Sequence, residues 1–222
     1  MPDIIVLMGP QGAGKGTQAD KLASELGVPI VATGDILRKV AEAETDLGRR
    51  IRQIQTAGQL VSDDVMAGII QERLARDDCR RGCILDGFPR TLPQAVLLDQ
   101  IAQERGFRVS AIIIVVPRDM LLKRLTGRRT CSVCGTIYNI YFKPSELEGV
   151  CDLDGGKLMM RADDNPESIE KRLALFDEMT RPLLAYYRAS ARLSEVDGTG
   201  EIDDVFHRIS SVVSRLAEAS GV

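Results

Sequence analysis

The chain has 222 residues, of which 44% are hydrophobic and 27% are charged, and its formal net charge is −3. This length and composition are typical of a globular protein with one domain that carries insertions, or with two domains at most. A slightly negative chain is not expected to bind nucleic acid through a general excess of positive charge. The only histidine, His207, lies in a helical pattern and is predicted to be structural, which argues against a catalytic centre of several histidines.

The N-terminal residues MPDIIVLMG lack the basic flank and the cleavage site of a signal peptide. No apolar run approaches the length that a bilayer-spanning helix needs. We therefore expect a cytoplasmic protein. Five cysteines are an odd number, and three of them cluster, which favours reduced thiols and a metal site over disulfides. Cys83, in the apolar stretch CILD, is predicted to lie in the core, and Cys79 is given no role.

Short apolar runs alternate with amphipathic stretches along most of the chain. The predicted strands span 4–8, 28–32, 83–86, 111–116 and 193–196. The predicted helices span 15–26, 34–43, 46–57, 62–77, 91–105, 118–127, 166–191 and 202–219. Because several strands are uninterrupted Val, Ile and Leu, the alternation predicts an α/β fold with a parallel sheet covered on both faces.

Two segments interrupt this alternation. Residues 33–61 contain helical patterns without a strand, and residues 128–164 are rich in Gly, Cys and polar side chains. Both segments are predicted to be insertions into the core α/β domain.

The stretch GPQGAGKGT, from Gly9 to Thr17, follows the first predicted strand and opens the first predicted helix. Its glycines let backbone N–H groups surround a phosphate beside the positive end of the helix dipole. Lys15 can reach the terminal phosphates of a nucleotide. Gly16 stands where Ser or Thr usually follows the lysine, and this variant is characteristic of small nucleotide and nucleoside monophosphate kinases.

Further motifs follow in order: TGDILR at 33–38, GQLVSDD at 58–64, DGFPRTLPQA at 86–95, LTGRR at 125–129 and RADDNPESIEKRL at 161–173. Together with GAGKGT, this set resembles the adenylate kinase family, in its long-lid bacterial form with a metal-bearing lid. The resemblance covers essentially the whole chain. It implies a P-loop nucleoside monophosphate kinase fold, with a five-stranded parallel sheet flanked by helices and with inserted AMP-binding and lid domains.

The resemblance also implies an activity and a division into domains. The expected reaction is reversible, in-line transfer of the terminal phosphate of ATP to AMP, giving two ADP, with Mg²⁺ and domain closure. The expected core comprises 1–31, 62–126 and 165–222, the AMP-binding domain 32–61 and the lid 127–164. The expected partners are the nucleotides ATP, AMP and ADP, without nucleic acid or membrane, and the expected state is a monomer.

The family's functional residues match positions throughout this chain. The resemblance implies catalytic roles for Lys15, Arg90, Arg124, Arg128, Arg161 and Arg172. It implies an ATP site at Gly12, Ala13, Gly14, Lys15, Gly16, Thr17, Arg124, Arg128, Ile137, Tyr138 and Gly200. It implies an AMP site at Thr33, Arg38, Gln59, Leu60, Val61, Gly87, Phe88, Pro89, Arg90, Gln94, Arg161 and Arg172. Asp86 would hold Mg²⁺ through water, and Asp163 and Asp164 would orient the arginines and hinge the lid.

Each of these assignments has a simpler alternative. Arg124 and Arg172 could be solvated helix arginines, Asp163 could be an ordinary helix N-terminal acid, and Gln94 could face solvent. The ordered occurrence of all the motifs together favours the functional interpretation.

The stretches CSVC and CDLD suggest a metal site with an aspartate at the fourth position. The resemblance implies that Cys131, Cys134, Cys151 and Asp154 form a structural site in the lid. Three thiolates and a carboxylate can close a tetrahedron around Zn²⁺ without an open position for catalysis. The C-x2-D spacing favours Asp154 over Asp152, which adjoins Cys151.

Two other functions are weighed against this one. A GTP:AMP phosphotransferase would have nearly the same AMP pocket, and the donor base is expected to be bound largely by backbone. A zinc-ribbon nucleic-acid-binding module joined to a nucleotide switch is the remote alternative, and it conflicts with the few basic residues between the cysteines.

Overall fold

The computed structural model describes residues 3–57 and 59–218. Gly58, which opens the predicted GQLV boundary, and residue 219, at the end of the last predicted helix, lie outside the described residues. The helices and strands follow in the order β1 (Asp3–Met8), α1 (Lys15–Leu26), β2 (Ile30–Ala32), α2 (Thr33–Glu42), α3 (Asp46–Thr56), α4 (Asp63–Leu74), β3 (Gly82–Asp86), α5 (Leu92–Arg105), β4 (Arg108–Val115), α6 (Arg118–Thr126), β5 (Arg128–Cys131), β6 (Ile137–Asn139), β7 (Leu158–Met159), α7 (Pro166–Leu175), α8 (Pro182–Ala189), β8 (Leu193–Asp197) and α9 (Ile202–Glu218).

Five strands form a parallel sheet in the order β2-β3-β1-β4-β8, which confirms the predicted fold class. Alternate residues of β1 point to opposite faces, so that Ile4 and Val6 join one hydrophobic core while Ile5 and Leu7 join the other. Helices α4, α5 and α8 cover the first core, and α1, α7 and α9 cover the second. Strands buried on both faces explain the continuous apolar runs in the sequence.

The sheet gathers the ends of its central strands at one edge. Leu7 of β1 is paired with Asp86 of β3, and Met8 is paired with Ile113 of β4. The loops that leave β1 and β3 therefore start side by side. In parallel sheets, such a carboxyl edge is where ligands bind.

A second, smaller sheet lies in the Cys-rich insertion. Strands β6, β5 and β7 pair antiparallel, and Cys131, Tyr138, Cys151 and Leu158 form their own small buried cluster. These strands of two to four residues were not predicted from the sequence.

The predicted helix 166–191 is divided in the structure. Helix α7 ends at Leu175, a π-helical turn spans Phe176–Thr180, and α8 begins at Pro182. Proline has no N–H group for an intrahelical bond, and the N–H of Arg181 instead donates to the carbonyl of Phe176 at 2.8 Å. The long apolar periodicity hid this interruption.

Smaller differences occur at other boundaries. Helix α4 ends at Leu74 and a short 3₁₀ turn, Asp77–Arg81, follows, whereas the prediction continued the helix to residue 77. Strand β4 begins at Arg108 rather than at residue 111. Cys83 is buried as predicted, and Cys79 is buried as well. Among the described residues, no helix is both long enough and apolar enough to cross a membrane.

A polar network joins α5, α8 and the start of β8. The guanidinium of Arg192 donates two hydrogen bonds of 2.7 Å to Asp99, and the Tyr186 hydroxyl donates to the same carboxylate at 2.5 Å. The neighbouring Tyr187 is fully buried, and its hydroxyl has no hydrogen-bond partner among residues 3–57 and 59–218. Two adjacent tyrosines of one helix therefore differ in whether their hydroxyls are satisfied.

This difference predicts opposite effects of removing the two hydroxyls. We expect Tyr187→Phe to leave the free energy of unfolding unchanged or to raise it, because no hydrogen bond is lost. We expect Tyr186→Phe to lower it by about 1 kcal/mol, because it removes a bond to a carboxylate. Urea unfolding of the two variants measures the difference, and a larger loss for Tyr187→Phe would contradict the assigned network.

Candidate active site

The loop between β1 and α1 lies at the carboxyl edge of the sheet and lines a cavity there through Gly9, Gln11 and Lys15. Gly9 has a φ of +142°, and a Cβ there would lie 2.9 Å from the carbonyl oxygen of Ile114. Gly14 precedes α1 in the left-handed conformation. The first N–H groups of a helix have no partner within it, so the start of α1 is suited to binding an anion.

Lys15 folds back over this loop. Its ammonium donates to the carbonyls of Gly9 at 2.8 Å and Pro10 at 3.1 Å. Burial is the main reason that the pKa of Lys15 falls from 10.5 to about 8; Asp86 opposes the fall, and nearby arginines add to it. A bound phosphate would place a negative charge next to this ammonium and would raise the pKa of Lys15 again.

Thr33 of α2 and the residues at the end of β3 form the wall next to the β1–α1 loop. The hydroxyl of Thr33 donates to the carbonyl of Asp86 at 3.2 Å, and Arg90 Nε donates to the carbonyl of Gly87 at 2.8 Å. Burial lowers the pKa of Arg90, and Asp86 opposes this effect. One carboxylate thus faces two partly desolvated cations, Lys15 and Arg90, and an anion is favoured between them.

Gln94 is buried rather than solvent-facing, which excludes the simpler alternative. Its Nε2 donates to Asp63 Oδ1 at 2.6 Å, and its Oε1 accepts from the N–H of Arg90 at 2.8 Å. The hydroxyl of Thr91 also donates to Asp63 at 3.0 Å. The amide is therefore held in one orientation at the base of the wall.

These residues surround one opening, here called the central cavity. Its walls come from the phosphate loop, α2, the segment before α4, the β3–α5 loop and α7. The residues of the predicted sites that line it are Lys15, Thr33, Arg38, Gln59, Leu60, Val61, Gly87, Phe88, Pro89, Arg90, Gln94, Asp163 and Arg172.

Asp164 holds two arginines near the cavity. Its side chain is 0% exposed and binds Arg128, whose Nε donates at 2.7 Å and whose Nη2 forms a second, shorter bond. Arg172 Nη1 lies 3.5 Å from Asp164 and 2.9 Å from Asp163. Asp163 is thus an ion-pair partner rather than an ordinary helix N-terminal acid.

Positive charge accumulates around this pair of aspartates. Burial, then the charges of Arg128 and Arg38, lower the pKa of Arg161 to about 10. Burial also lowers the pKa of Arg172, and Arg128 and Arg38 add to that effect. Arginines from the insertions and the core therefore converge with too few carboxylates to neutralise them, as a phosphate-binding site requires.

Arg124 connects α6 with the phosphate loop and with the segment after β8. Its Nη1 lies 3.4 Å from the carbonyls of Gly12 and Ala13, and its Nη2 donates to Gly198 at 3.0 Å. The guanidinium carbon lies 6.0 Å from the ring centre of Phe142. Arg124 is accordingly not a solvated helix arginine.

The two halves of the cysteine cluster have the same backbone geometry. The N–H of Gly135 donates to Cys131, and the N–H of Gly155 donates to Cys151. Both glycines have positive φ, +75° and +71°, which L side chains rarely adopt. Cys134 and Asp154 thus occupy equivalent positions in two matching turns.

The four ligand atoms fit a single metal ion. The Sγ atoms of Cys131, Cys134 and Cys151 and a carboxylate oxygen of Asp154 all lie within 4.8 Å of one another. Cys134 and Cys151 are 3.7 Å apart, close to the roughly 3.8 Å between two sulfurs on a tetrahedral Zn²⁺. Asp152 instead accepts a bond from the N–H of Glu146.

Comparison with known proteins gives one consistent result. The adenylate kinase family model matches residues 7–192. The chain belongs to the adenylate kinase family. The adenylate kinase of Staphylococcus epidermidis is 44% identical over 213 residues, which cover 96% of this chain and 99% of that protein. Those of Thermodesulfovibrio yellowstonii (45% over 212 residues, 95% and 99% coverage) and Bacillus subtilis (46% over 213 residues, 96% and 98%) are similarly close.

In this adenylate kinase fold, the side chain of Tyr138 is not placed for direct contact with a nucleotide. Its ring is buried in the lid, and its hydroxyl lies 3.5 Å from Cys151 and accepts from the N–H of Asp152 at 3.0 Å. Any contact of Tyr138 with ATP therefore falls to its backbone. Gly200, with a φ of +94°, lies beyond β8, in the segment that Arg124 reaches through Gly198.

Sequence reasoning missed Asp63, at the start of α4, whose carboxylate accepts hydrogen bonds from Gln94 and Thr91. It stands inside the quoted motif GQLVSDD, but only the pairing of two distant segments reveals what its carboxylate binds. Gln11 was also missed, although it lines the central cavity.

The buried position of Asp164 predicts a large loss of stability on its removal. We expect Asp164→Ala to lower the free energy of unfolding by about 3 kcal/mol, because Arg128 and Arg172 lose a desolvated counter-charge. The matched control is Asp177→Ala, whose exposed pair with Arg181 is expected to contribute less than about 1 kcal/mol. Urea unfolding measures both, and equal losses would contradict the buried role of Asp164.

Proposed function

We propose that the chain catalyses reversible transfer of the terminal phosphate of ATP to AMP, giving two ADP, with the residues assigned above. The observation that carries this proposal is the central cavity, where the phosphate loop, Lys15, Arg90 and Arg172 meet the pocket of Gln94. Phosphoryl transfer needs alignment, charge neutralisation and exclusion of water rather than a covalent intermediate on the protein.

On the donor side, the loop from Gly12 to Thr17 would bind the ATP phosphates with backbone N–H groups, and Lys15 would leave its carbonyl partners for the terminal phosphates. Arg124 and Arg128 would neutralise charge on the same side, while the backbone at Ile137, Tyr138 and Gly200 would contact the nucleotide. The existing bonds of Arg124 to the phosphate loop and to Gly198 support this placement.

On the acceptor side, Arg38 and Arg90 would bind the AMP phosphate, and Thr33 and the backbone at Gly87–Pro89 would line the pocket. Gln94 and the segment Gln59–Val61 would contact the adenine. Gln94 has one further N–H after its bond to Asp63, so it can still donate to a base.

Arg161 and Arg172 would close over the transferring group. Their lowered pKa values show that burial disfavours their charges in the free protein, and a phosphoryl group would relieve that cost. Asp163 and Asp164 would keep the arginines in position until both nucleotides are bound. Closure would then exclude water and prevent ATP hydrolysis.

Asp86, at the end of β3, would hold through water a Mg²⁺ bound with ATP, and that ion would supply positive charge to the phosphates. The Cys131, Cys134, Cys151 and Asp154 group would hold a structural Zn²⁺ in the lid. Its closed ligand set supports a role in lid stability rather than in the chemical step.

The domain boundaries belong to the same proposal: a core of 1–31, 62–126 and 165–222, an AMP-binding insertion of 32–61 and a lid of 127–164. The small separate sheet of the lid supports its boundary. A monomeric, cytoplasmic enzyme without a nucleic-acid partner completes the proposal. Neither the GTP:AMP alternative nor the nucleic-acid alternative is favoured by the family match.

The function predicts that ADP forms from ATP only when AMP is present. A coupled assay that measures ADP and inorganic phosphate, with and without AMP, tests this. We expect two ADP per ATP consumed and little phosphate release. Steady phosphate release that is independent of AMP would refute the kinase assignment, and equal or faster turnover with GTP would refute the choice of ATP as donor.

The metal site predicts that Asp154→Ala lowers both the bound metal content and the melting temperature. Phosphoryl transfer at low temperature should be largely retained, because the ligands hold the lid and do not contact the phosphates. Metal content is measured by plasma mass spectrometry after purification without added metal. Asp152→Ala is the matched control, and loss of metal in that variant but not in Asp154→Ala would contradict the assigned ligand set.

A further inference from the structure

Gln11 has a buried polar atom without a partner. Its Oε1 is shielded from solvent and makes no hydrogen bond within the described residues. Nearly all buried polar atoms in folded proteins are paired, and leaving one unpaired costs free energy. A group of this kind beside a ligand cavity indicates that its partner belongs to the ligand.

The surroundings of Gln11 separate it from the other unpaired atoms. Among the described residues, Gln18 and Tyr187 also have an unpaired oxygen. Gln18 Nε2 already donates to the carbonyl of Ile202 at 3.0 Å, and Tyr187 lies in the core. Gln11 lines the central cavity.

In the free protein, three cations of the central cavity have recorded bonds to groups other than Gln11. Lys15 donates to Gly9 and Pro10, Arg90 Nε to Gly87, and Arg172 to Asp163. None of these recorded bonds goes to Gln11, so the missing partner is expected from a bound substrate.

A phosphate oxygen can be that partner only after the amide turns, because Oε1 and a phosphate oxygen are both acceptors. A half-turn of the amide about its last bond exchanges Oε1 with Nε2 and presents N–H donors at the same place. Such a donor binds a phosphate oxygen without adding to the positive charge of Lys15, Arg90 and Arg172. A neutral donor is therefore suited to a site that already holds several buried cations.

The position of Gln11 indicates which phosphate it contacts. Along the chain it belongs to the loop assigned to ATP, between Gly9 and Gly12. In space it lines the central cavity together with Thr33 and Gln94 of the AMP pocket. It therefore belongs to the loop assigned to ATP and also borders the pocket assigned to AMP.

We propose that the Gln11 side-chain amide binds the phosphoryl group in transit, as its bond to the ATP β-phosphate oxygen breaks and its bond to an AMP phosphate oxygen forms. This inference rests on the proposed function. Gln11 is then a further catalytic residue. It stabilises the transferring phosphoryl group more strongly than it stabilises bound ATP or bound AMP.

The test compares Gln11→Met with the wild type and with Gln103→Met. Methionine keeps the length of the side chain without a hydrogen-bonding amide, and Gln103 is an exposed residue of α5. We expect kcat of Gln11→Met to fall about tenfold or more, the value of one bond to a charged group. The KM values for ATP and AMP should change less than kcat, and the melting temperature should stay equal or rise because an unpaired polar atom is removed. Gln103→Met should match the wild type.

A kcat of Gln11→Met within twofold of the wild type would overturn the inference. So would a fall in kcat accompanied by a lower melting temperature, since Gln11 would then be a structural residue of the loop. Gln11→Glu gives a second check, because a carboxylate facing phosphates should reduce kcat further and raise KM. If the wild type itself forms no ADP from ATP and AMP, the proposed function fails, and that result is distinct from a normal wild type with an unaffected Gln11→Met.

Discussion

The structure depends on a balance between buried cations and the few carboxylates that face them. Lys15, Arg90, Arg161 and Arg172 all have pKa values lowered by burial, so their charged forms are held where water cannot stabilise them fully. Asp86, Asp163 and Asp164 offset only part of that cost. The free protein is therefore short of negative charge at one place, and in the proposed function the phosphates of two nucleotides would restore the balance.

Asp164 determines how this charge is distributed. It is the fully buried carboxylate that joins Arg128, at the start of the lid sheet, to Arg172 on α7. Arg128 of the small sheet and Arg172 of α7 thus share one carboxylate. The metal-ligand group lies in the same insertion but acts differently. Its matching turns at Gly135 and Gly155 bring four candidate ligands together in a segment with only a small buried cluster of its own.

The core of the fold was predictable from sequence because its signals are local. The glycine-rich stretch after an apolar strand determines where β1 ends and α1 begins, and α1 was predicted with the observed bounds, Lys15–Leu26. The lid strands were not predictable, since segments of two to four residues carry no periodicity. The division between α7 and α8 was missed because the apolar spacing continues through it.

Side-chain partners are harder still to predict. The motif around Gln94 indicated the residue, but its bond to Asp63 joins positions far apart in the chain. Tyr138 was assigned from the resemblance, whereas its ring is buried and its hydroxyl lies 3.5 Å from the Cys151 thiol. In both cases the sequence identifies the segment, and only the folded arrangement determines which atoms of that segment remain free for a substrate.

Unpaired polar atoms have different meanings in different parts of this molecule. The hydroxyl of Tyr187 lies in a packed core, where no ligand can reach it. Its unpaired state therefore lowers the stability of the fold without contributing to a binding site. Gln11 lies in the loop between β1 and α1 and lines the central cavity. A polar atom left unpaired at a substrate cavity lowers the stability of the free protein, but it strengthens the bound state by the same missing bond. The placement of such atoms, more than their number, therefore separates functional residues from imperfect packing.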